Sequence, residues 1–440
     1  MIAPRALVCV CVLSTLSACA PFKRVVSDGA SGTDINNDRR ADLIAVSRTN
    51  GTMTEPHGAL LMPGGLSGFI PANATGIATF SDGTWGARVG DVNNDGYGDF
   101  ILGSDSGSGP YDVRVFLGGS TITQQMASLR SPRRDDGATG KSMGAAAWDL
   151  NGDGFADVVI VRKWRTVAVH FGGASGLRPD PDQTLQLGDT DPIEDLRGVG
   201  DIDGDGRSEV AFIHRINGKD TVRVHRGSTM GLEPTPALEL VNVTGGVADR
   251  VDVTGDGRFD LVVGEIEGTG GCVNVFAGEP NALRTPRPAG SVCASRPTGV
   301  FAQGRVMRAG DTNADGYDDV MLFEPGLASE CASAAPVAFR VRLFKGTAHG
   351  LEPRDSVAVN GPPAERCAIG EDAIAVGDVH GDGYSDVVIG VPSYRSTSAG
   401  MDGDGRLLLY RGGPEGLRAD GFRYTDAPVG SGWGLGRFAR

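Results

Sequence analysis

The chain has 440 residues, 68 of them glycine and 24 proline, and no segment keeps a 3.6-residue apolar period for three turns, which excludes helical architectures. Its formal net charge of −14 is not spread over the chain as an acidic, solvating surface. Seven short loops hold 23 of the 55 carboxylates and leave 41 basic against 32 acidic side chains elsewhere, so the acidity belongs to sites rather than to a face for basic partners.

The first element in chain order is a processing signal. Arg5 gives a positive n-region, and residues 6–16 form an apolar stretch well short of the roughly 20 residues that span a bilayer. Leu16-Ser17-Ala18-Cys19 resembles the bacterial lipobox, and the resemblance implies lipidation of Cys19 and a mature N-terminus there. An ordinary secretory signal with an incidental cysteine is the alternative. Ala20, standing where aspartate would retain the protein, implies by the same resemblance sorting to an outer membrane. No other stretch is long and apolar enough to span a membrane. Residues 1–19 are therefore expected to be the signal, 20–33 a flexible tether and 34–440 one folded domain.

From residue 34 a nine-residue acidic pattern recurs seven times. The copies are DINNDRRAD (34–42), DVNNDGYGD (91–99), DLNGDGFAD (149–157), DIDGDGRSE (201–209), DVTGDGRFD (252–260), DTNADGYDD (311–319) and DVHGDGYSD (378–386). Most read D-x-[oxygen donor]-x-D-G-x-x-[D/E] and run into an apolar stretch such as Phe100-Ile101-Leu102 or Val158-Val159-Ile160. Oxygen ligands at positions 1, 3, 5 and 9, with glycine at 6 where the chain turns sharply, suit a hard cation. Calcium, which takes roughly six to eight oxygens in a flexible cage, is the candidate. The alternative is a set of Asx-turns closed on their own backbone. Against it, three or more carboxylates converging in each loop repel one another unless something screens them.

The first aspartates of successive copies are 57, 58, 52, 51, 59 and 67 residues apart, and periods near 50 mark propellers or arrays. In unit two a lead-in over 85–90 precedes the acidic loop, strands follow over 99–103 and 113–117, and space remains for one more. Third strands are expected likewise over 167–171, 222–225, 273–276, 341–344 and 407–410, several followed by a glycine turn and Gly-Leu. Four antiparallel strands per unit, repeated radially, describe a β-propeller. The last residues, from Gly432 to Arg440, look like the lead-in of unit two and stop where the next aspartate would begin. The C-terminal strand is therefore expected to complete blade one, giving a closed, all-β, seven-bladed propeller with no open edge.

These units resemble FG-GAP repeats of the integrin α-subunit N-terminal type and bacterial VCBS-like repeats, over residues 34–440. The resemblance implies side-chain ligands at positions 1, 3, 5 and 9 and a backbone carbonyl at 7, Tyr97 in unit two. Carried over, the sets are Asp34, Asn36, Asp38 and Asp42; Asp91, Asn93, Asp95 and Asp99; and Asp149, Asn151, Asp153 and Asp157. They continue with Asp201, Asp203, Asp205 and Glu209; Asp252, Thr254, Asp256 and Asp260; Asp311, Asn313, Asp315 and Asp319; and Asp378, Asp382 and Asp386. Up to seven calcium ions of structural role are implied. Unit four, with its extra charge, should bind tightly, and unit five, with Thr254, weakly. Unit one has Arg39 where glycine belongs, which strains the turn and brings a cation to the site. Unit seven has His380 at position 3, a poor partner for calcium, so that loop should use water there or bind weakly.

Once the signal and Cys19 are set aside, Cys272, Cys293, Cys331 and Cys367 remain, an even number that favours disulfides in an exported chain. Cys272 begins the third strand of unit five and Cys293 lies near the end of its fourth. Cys331 falls in the long 324–336 loop, and Cys367 in the linker to unit seven. The register pairs Cys272 with Cys293 and Cys331 with Cys367.

The face opposite the acidic loops carries the variable connections 47–58, 104–111, 163–165, 325–336 and 393–404, where a protein or glycan ligand is expected to dock, with Trp164 and Arg165 as anchors. The chain holds no G-x-S-x-G, H-E-x-x-H or P-loop motif. It is expected not to be an enzyme, but a monomeric adhesion or interaction module that meets the membrane only through its lipid and binds no nucleic acid. A carbohydrate-binding propeller and a propeller-fold hydrolase or lyase are the alternatives.

Overall fold

The computed structural model describes residues 34–46, 57–69, 75–80, 84–104, 113–120, 124–125, 128–129, 143–162, 165–187, 192–217, 219–267, 270–284, 286, 288–295, 305–325, 339–352, 357–360, 372–391, 405–418, 422–426 and 437–438. The leader with Cys19, Trp164, Cys331 and Cys367 lie outside the described residues.

Every unit folds as an antiparallel meander around its acidic loop. Unit three shows the plan: Met143–Trp148 leads into the loop, Asp157–Arg162 leaves it, and Thr166–His170 and Gln183–Gln186 complete a four-stranded sheet. Position 9 of each loop opens or immediately precedes the second strand, so the last carboxylate is carried at the edge of a buried element. Second strands are buried along most of their length, and Asp386–Val391 along all of it. That burial explains their unbroken apolar runs, because successive side chains point to opposite faces and both faces are covered. Val158 and Ile160 pack against unit two, while Val159 and Val161 pack against unit four. The fourth strands, such as Gln183–Gln186 and Leu238–Val241, alternate between half-buried and exposed residues and form the outer rim.

The same alternation joins unit seven to unit one. Leu43 and Ala45 share an apolar cluster with Val376, Val388 and Leu407, while Ile44 and Val46 share another with Phe100 and Phe116. Arg437–Phe438 pairs antiparallel with Leu43–Val46, with Ala45 opposite Phe438, and so supplies the inner strand that unit one lacks. The expectation that the C-terminus returns to unit one rested on the likeness of the last residues to the lead-in of unit two.

Unit five departs from the expected four strands. Among the described residues its sheet has three, Leu261–Glu267, Gly270–Phe276 and Pro288–Ser295, and the lead-in meets it through isolated bridges at Val247–Val263 and Val251–Asp260 and through backbone bonds of Gly245 and Gly246 with Gly264. The reason is local: Gly245 and Gly264 run so close that a Cβ on Gly245 would sit 2.8 Å from the Gly264 Cα, and Asn242, Gly246 and Arg250 all turn through positive φ. A regular strand tolerates neither.

Candidate cation-binding loops

The loops share one hydrogen-bonding plan set by the first aspartate. Its Oδ1 accepts the amide of position 5 and its Oδ2 that of position 6 in all seven copies, as with Asp95 N and Gly96 N on Asp91 at 3.1 and 2.7 Å. The position 5 aspartate accepts the amide of position 7 in every copy, from Arg40 on Asp38 to Tyr384 on Asp382. Asn36, Asn93, Asn151 and Asn313 at position 3 accept the amide of position 5. These are Asx-turn bonds, and in four loops they bring the oxygens of positions 1 and 3 to one amide, that of position 5. Positions 4 and 6 both take positive φ in all seven loops. Arg39 adopts φ 68° at position 6, where the other six copies have glycine, so the strain expected in unit one is present there.

Position 9 has a task that the motif does not announce. In six loops its two oxygens accept two backbone amides. Asp99 takes Val92 N at 2.8 Å and Gly118 N, at the end of the third strand, at 2.8 Å. Asp42, Asp157, Asp260, Asp319 and Asp386 repeat this with Gly64, Gly172, Gly278, Gly346 and Gly412. Each buried carboxylate thus ties its loop to the far hairpin of the same sheet. The glycines are required by close approach: a Cβ on Gly118 would lie 2.4 Å from Gly98 O and 2.7 Å from Ile35 O. The repeated Gly after the third strand was the available signal for this arrangement.

Loop four differs. Glu209 is fully buried; its Oε2 accepts Ile202 N at 2.9 Å, and its Oε1 has no partner. Asp203 gives one oxygen to Arg226 Nε at 2.7 Å and holds the other, Oδ1, buried and unpartnered. Ligand oxygens of Asp201, Asp203 and Glu209 lie within 4.8 Å of one another. Two buried acceptors left unpaired are costly unless a donor or cation satisfies them. The oxygen-only donor set fits a hard divalent ion. Thr254 Oγ1 in loop five is likewise buried and unpartnered.

Burial dominates the electrostatics. It raises Asp42, Asp99, Asp157 and Asp319 to about 7, Asp260 to about 6 and Glu209 to about 9, and neighbouring loop carboxylates push in the same direction against the backbone bonds that lower them. Asp34, Asp252 and Asp311 are raised by burial too. Loop six adds a Thr312 hydroxyl donating to Asp319, and a bidentate Arg308–Asp318 pair. In loop seven His380 Nδ1 meets Asp386 Oδ2 at 2.7 Å, both side chains buried.

Sequence reasoning missed Arg226, which stands 23 residues from its partner Asp203, and the bracing role of position 9. Of the remaining histidines, His170 and His225 are buried on third strands with Nδ1 on the carbonyls of Arg178 and Glu233, and burial lowers both. Cys272 and Cys293 face each other on neighbouring strands and form a disulfide.

No family model matches the chain. Integrin alpha-IIb of Mus musculus is 29% identical over 150 residues, 32% of this chain and 14% of that protein. Integrin alpha-8 of Mus musculus is 33% identical over 110 residues, 25% of this chain and 10% of that protein, so the matched region is a small part of either relative. Among solved structures, the periplasmic gluconolactonase of Pseudomonas aeruginosa aligns with a TM-score of 0.50 at 13% identity, covering 91% of this chain and 99% of that one. Sequence and fold likeness agree on a β-propeller. The fold likeness also corrects the expectation that the chain is not an enzyme. That expectation rested on missing motifs, and an architecture shared with a gluconolactonase removes its force.

Proposed function

We propose that the chain is a closed, seven-bladed β-propeller, exported and lipid-anchored through Cys19 to the outer membrane, in which calcium braces the acidic loops and the opposite face binds a protein or glycan ligand. One observation carries the cation reading: the buried, unpartnered oxygens of Asp203 and Glu209 beside Asp201. Bound calcium supplies the positive charge that clustered carboxylates need. The chain's part is to gather oxygens from positions 1, 3 and 5 through Asx-turns, and to hold the loop open by the left-handed turns at positions 4 and 6. The reading extends this to all seven loops, with unit one strained by Arg39 and unit seven altered by His380.

Support for seven blades in a closed ring comes from the apolar clusters that link unit seven to unit one and unit one to unit two. Support for export comes from the Cys272–Cys293 disulfide, a bond of oxidising compartments. An ion that binds only the folded loops stabilises the fold by mass action. Metal analysis of the purified chain should find several calcium ions, and excess chelator should lower its melting temperature. No tightly held calcium together with an unchanged melt would refute the reading.

A fold shared with a gluconolactonase makes a sugar-directed activity the second reading: a hydrolase or lyase, or a propeller that binds carbohydrate. Lactone hydrolysis assays and a glycan array on the calcium-loaded protein separate this from the adhesion reading. Turnover or glycan retention favours the second, and capture of one envelope protein without either favours the first.

A further inference from the structure

We propose that the junction between units four and five is the seam at which the propeller opens, with Arg250 as its latch in place of the hydrogen bond that closes the other junctions. The seam involves no bound ion and stands apart from the cation reading.

Neighbouring loops are tied by one recurring bond, from the amide of position 8 to the carbonyl of position 1 in the preceding loop. It runs, for example, from Ser208 to Asp149 at 2.8 Å and from Asp318 to Asp252 at 2.9 Å. Among the described residues six of the seven junctions have it. No such bond joins Phe259 to Asp201, and the next amide, that of Asp260, turns back to Val251 O in its own unit. The hairpins show the same gap. In six units the glycine after the third strand lies against the position 2 carbonyl of the preceding loop. A Cβ on Gly227 would stand 2.3 Å from Leu150 O, and one on Gly346 2.8 Å from Val253 O. For Gly278 the three nearest atoms all belong to Arg258 and Phe259 of its own loop.

The cause is the side chain at position 8. Five units have glycine, alanine or serine there and unit six has Asp318, whereas unit five has Phe259. Its ring occupies the space beside Gly200, where a Cβ would meet Phe259 Cδ2 at 2.0 Å, and it wedges loop five away from loop four. At the junction of units two and three the small Ala156 takes this place beside Gly90, and the bond to Asp91 O forms.

Arg250 spans the wedge. Its Cζ lies 4.9 Å from the Phe259 ring centroid and 3.2 Å from that of Trp148, so one guanidinium links unit five to unit three past the edge of unit four. The exposed Arg258 also reaches across, with Nε 3.1 Å from where a Gly204 Cβ would lie. Away from the loops the two sheets share an apolar cluster, with Val199 and Ala211 beside Val247 and Leu261. Apolar packing is non-directional, while a hydrogen bond fixes distance and angle. Loops four and five therefore part without breaking the bond that every other pair of loops must break.

Hydrogen exchange of the full-length protein in excess calcium, resolved by peptide mass spectrometry, tests this. Segments 199–209 and 251–261 should exchange roughly tenfold faster than the equivalent segments of other units, an opening free energy lower by about 1.4 kcal/mol. Arg250→Gln should speed exchange further in these two segments and leave units one, two, six and seven unchanged. Phe259→Ser gives unit five the small residue of its neighbours and should let the missing bond form, which slows exchange at the seam to the rate of the other junctions. A Phe259 that served only as packing would give the opposite result, faster exchange. If Arg250→Gln does not fold, wild type and Phe259→Ser decide the matter. Fastest opening at another junction, a uniform effect of Arg250→Gln, or faster exchange in Phe259→Ser overturns the seam.

Discussion

The amide of Ala41 donates to the carbonyl of Asp378 at 2.9 Å. Elsewhere the same bond joins position 8 of one loop to position 1 of the preceding loop, as from Gly98 to Asp34 and from Ala156 to Asp91. Here it runs between the first unit and the last, and the adjoining strand Arg437–Phe438 lies on Leu43–Val46.

Deleting residues 437–440 should therefore uncover the inner edge of unit one. An unpaired strand edge lowers stability and recruits other chains. The truncated protein is expected to melt lower, by about 1 °C for each kcal/mol lost, and to associate with rising concentration in light scattering. A truncation that melts like the full chain and stays the same size would show that the pairing contributes nothing.

Arg39 at φ 68° and Ala314 at φ 58° hold a conformation that L side chains resist. Left-handed backbone costs a residue with a Cβ roughly 1–2 kcal/mol, part of which glycine gives back in unfolded-state entropy. Arg39→Gly and Ala314→Gly should each raise unfolding free energy by about 0.5–1 kcal/mol in denaturant titrations. For Arg39→Gly the effect should grow when calcium is present, because the change also removes a cation from the loop. Destabilisation by both would mean that the loops do not hold this turn in solution.

How far the sequence discloses this architecture depends on the distance over which each feature is decided. The turn at position 6 and the apolar second strands are local, so Asp153-Gly154 and Val158 to Val161 disclose them directly. The disulfide follows from strand register alone. The brace from Asp99 to Gly118 and the Arg226–Asp203 pair span 19 and 23 residues, and no short motif encodes them. Trp148 stands at φ 53° before its loop, where units two, four, six and seven have glycine. It is held there by Arg250 of another unit, whose Cζ lies 3.2 Å from the ring centroid. The loss of a strand in unit five needs the contact of Gly245 with Gly264, which only the folded chain brings about.

Replacing both Cys272 and Cys293 by serine removes a covalent tie across 21 residues in the sheet of unit five, which among the described residues has three strands. The expected loss is about 3 kcal/mol, measured by denaturant unfolding of the double variant against wild type. Unit five should then exchange its amide hydrogens faster than its neighbours. A uniform increase across all units would show that the disulfide stabilises the whole ring rather than this sheet.

The pH dependence should run opposite to that of most folded proteins. In the absence of a cation, burial raises Asp42, Asp99, Asp157 and Asp319 to about 7 and Glu209 to about 9. Free carboxylates titrate near about 4, so between these limits the folded chain holds protons that the unfolded chain has lost. Stability from these groups is complete below about 4 and falls as pH rises through about 7, because the side with more bound protons is penalised by their removal. Chelated protein is therefore expected to melt highest near pH 5 and progressively lower towards pH 8. Calcium needs the ionised form, so its affinity should rise across the same window, with protons released on binding. Differential scanning fluorimetry from pH 5 to 8, with calcium and with chelator, reads both trends, and calorimetry in two buffers of different ionisation enthalpy counts the protons. A chelated melt that is flat or rises over that range would mean that these carboxylates are ionised in the fold without any ion to compensate them.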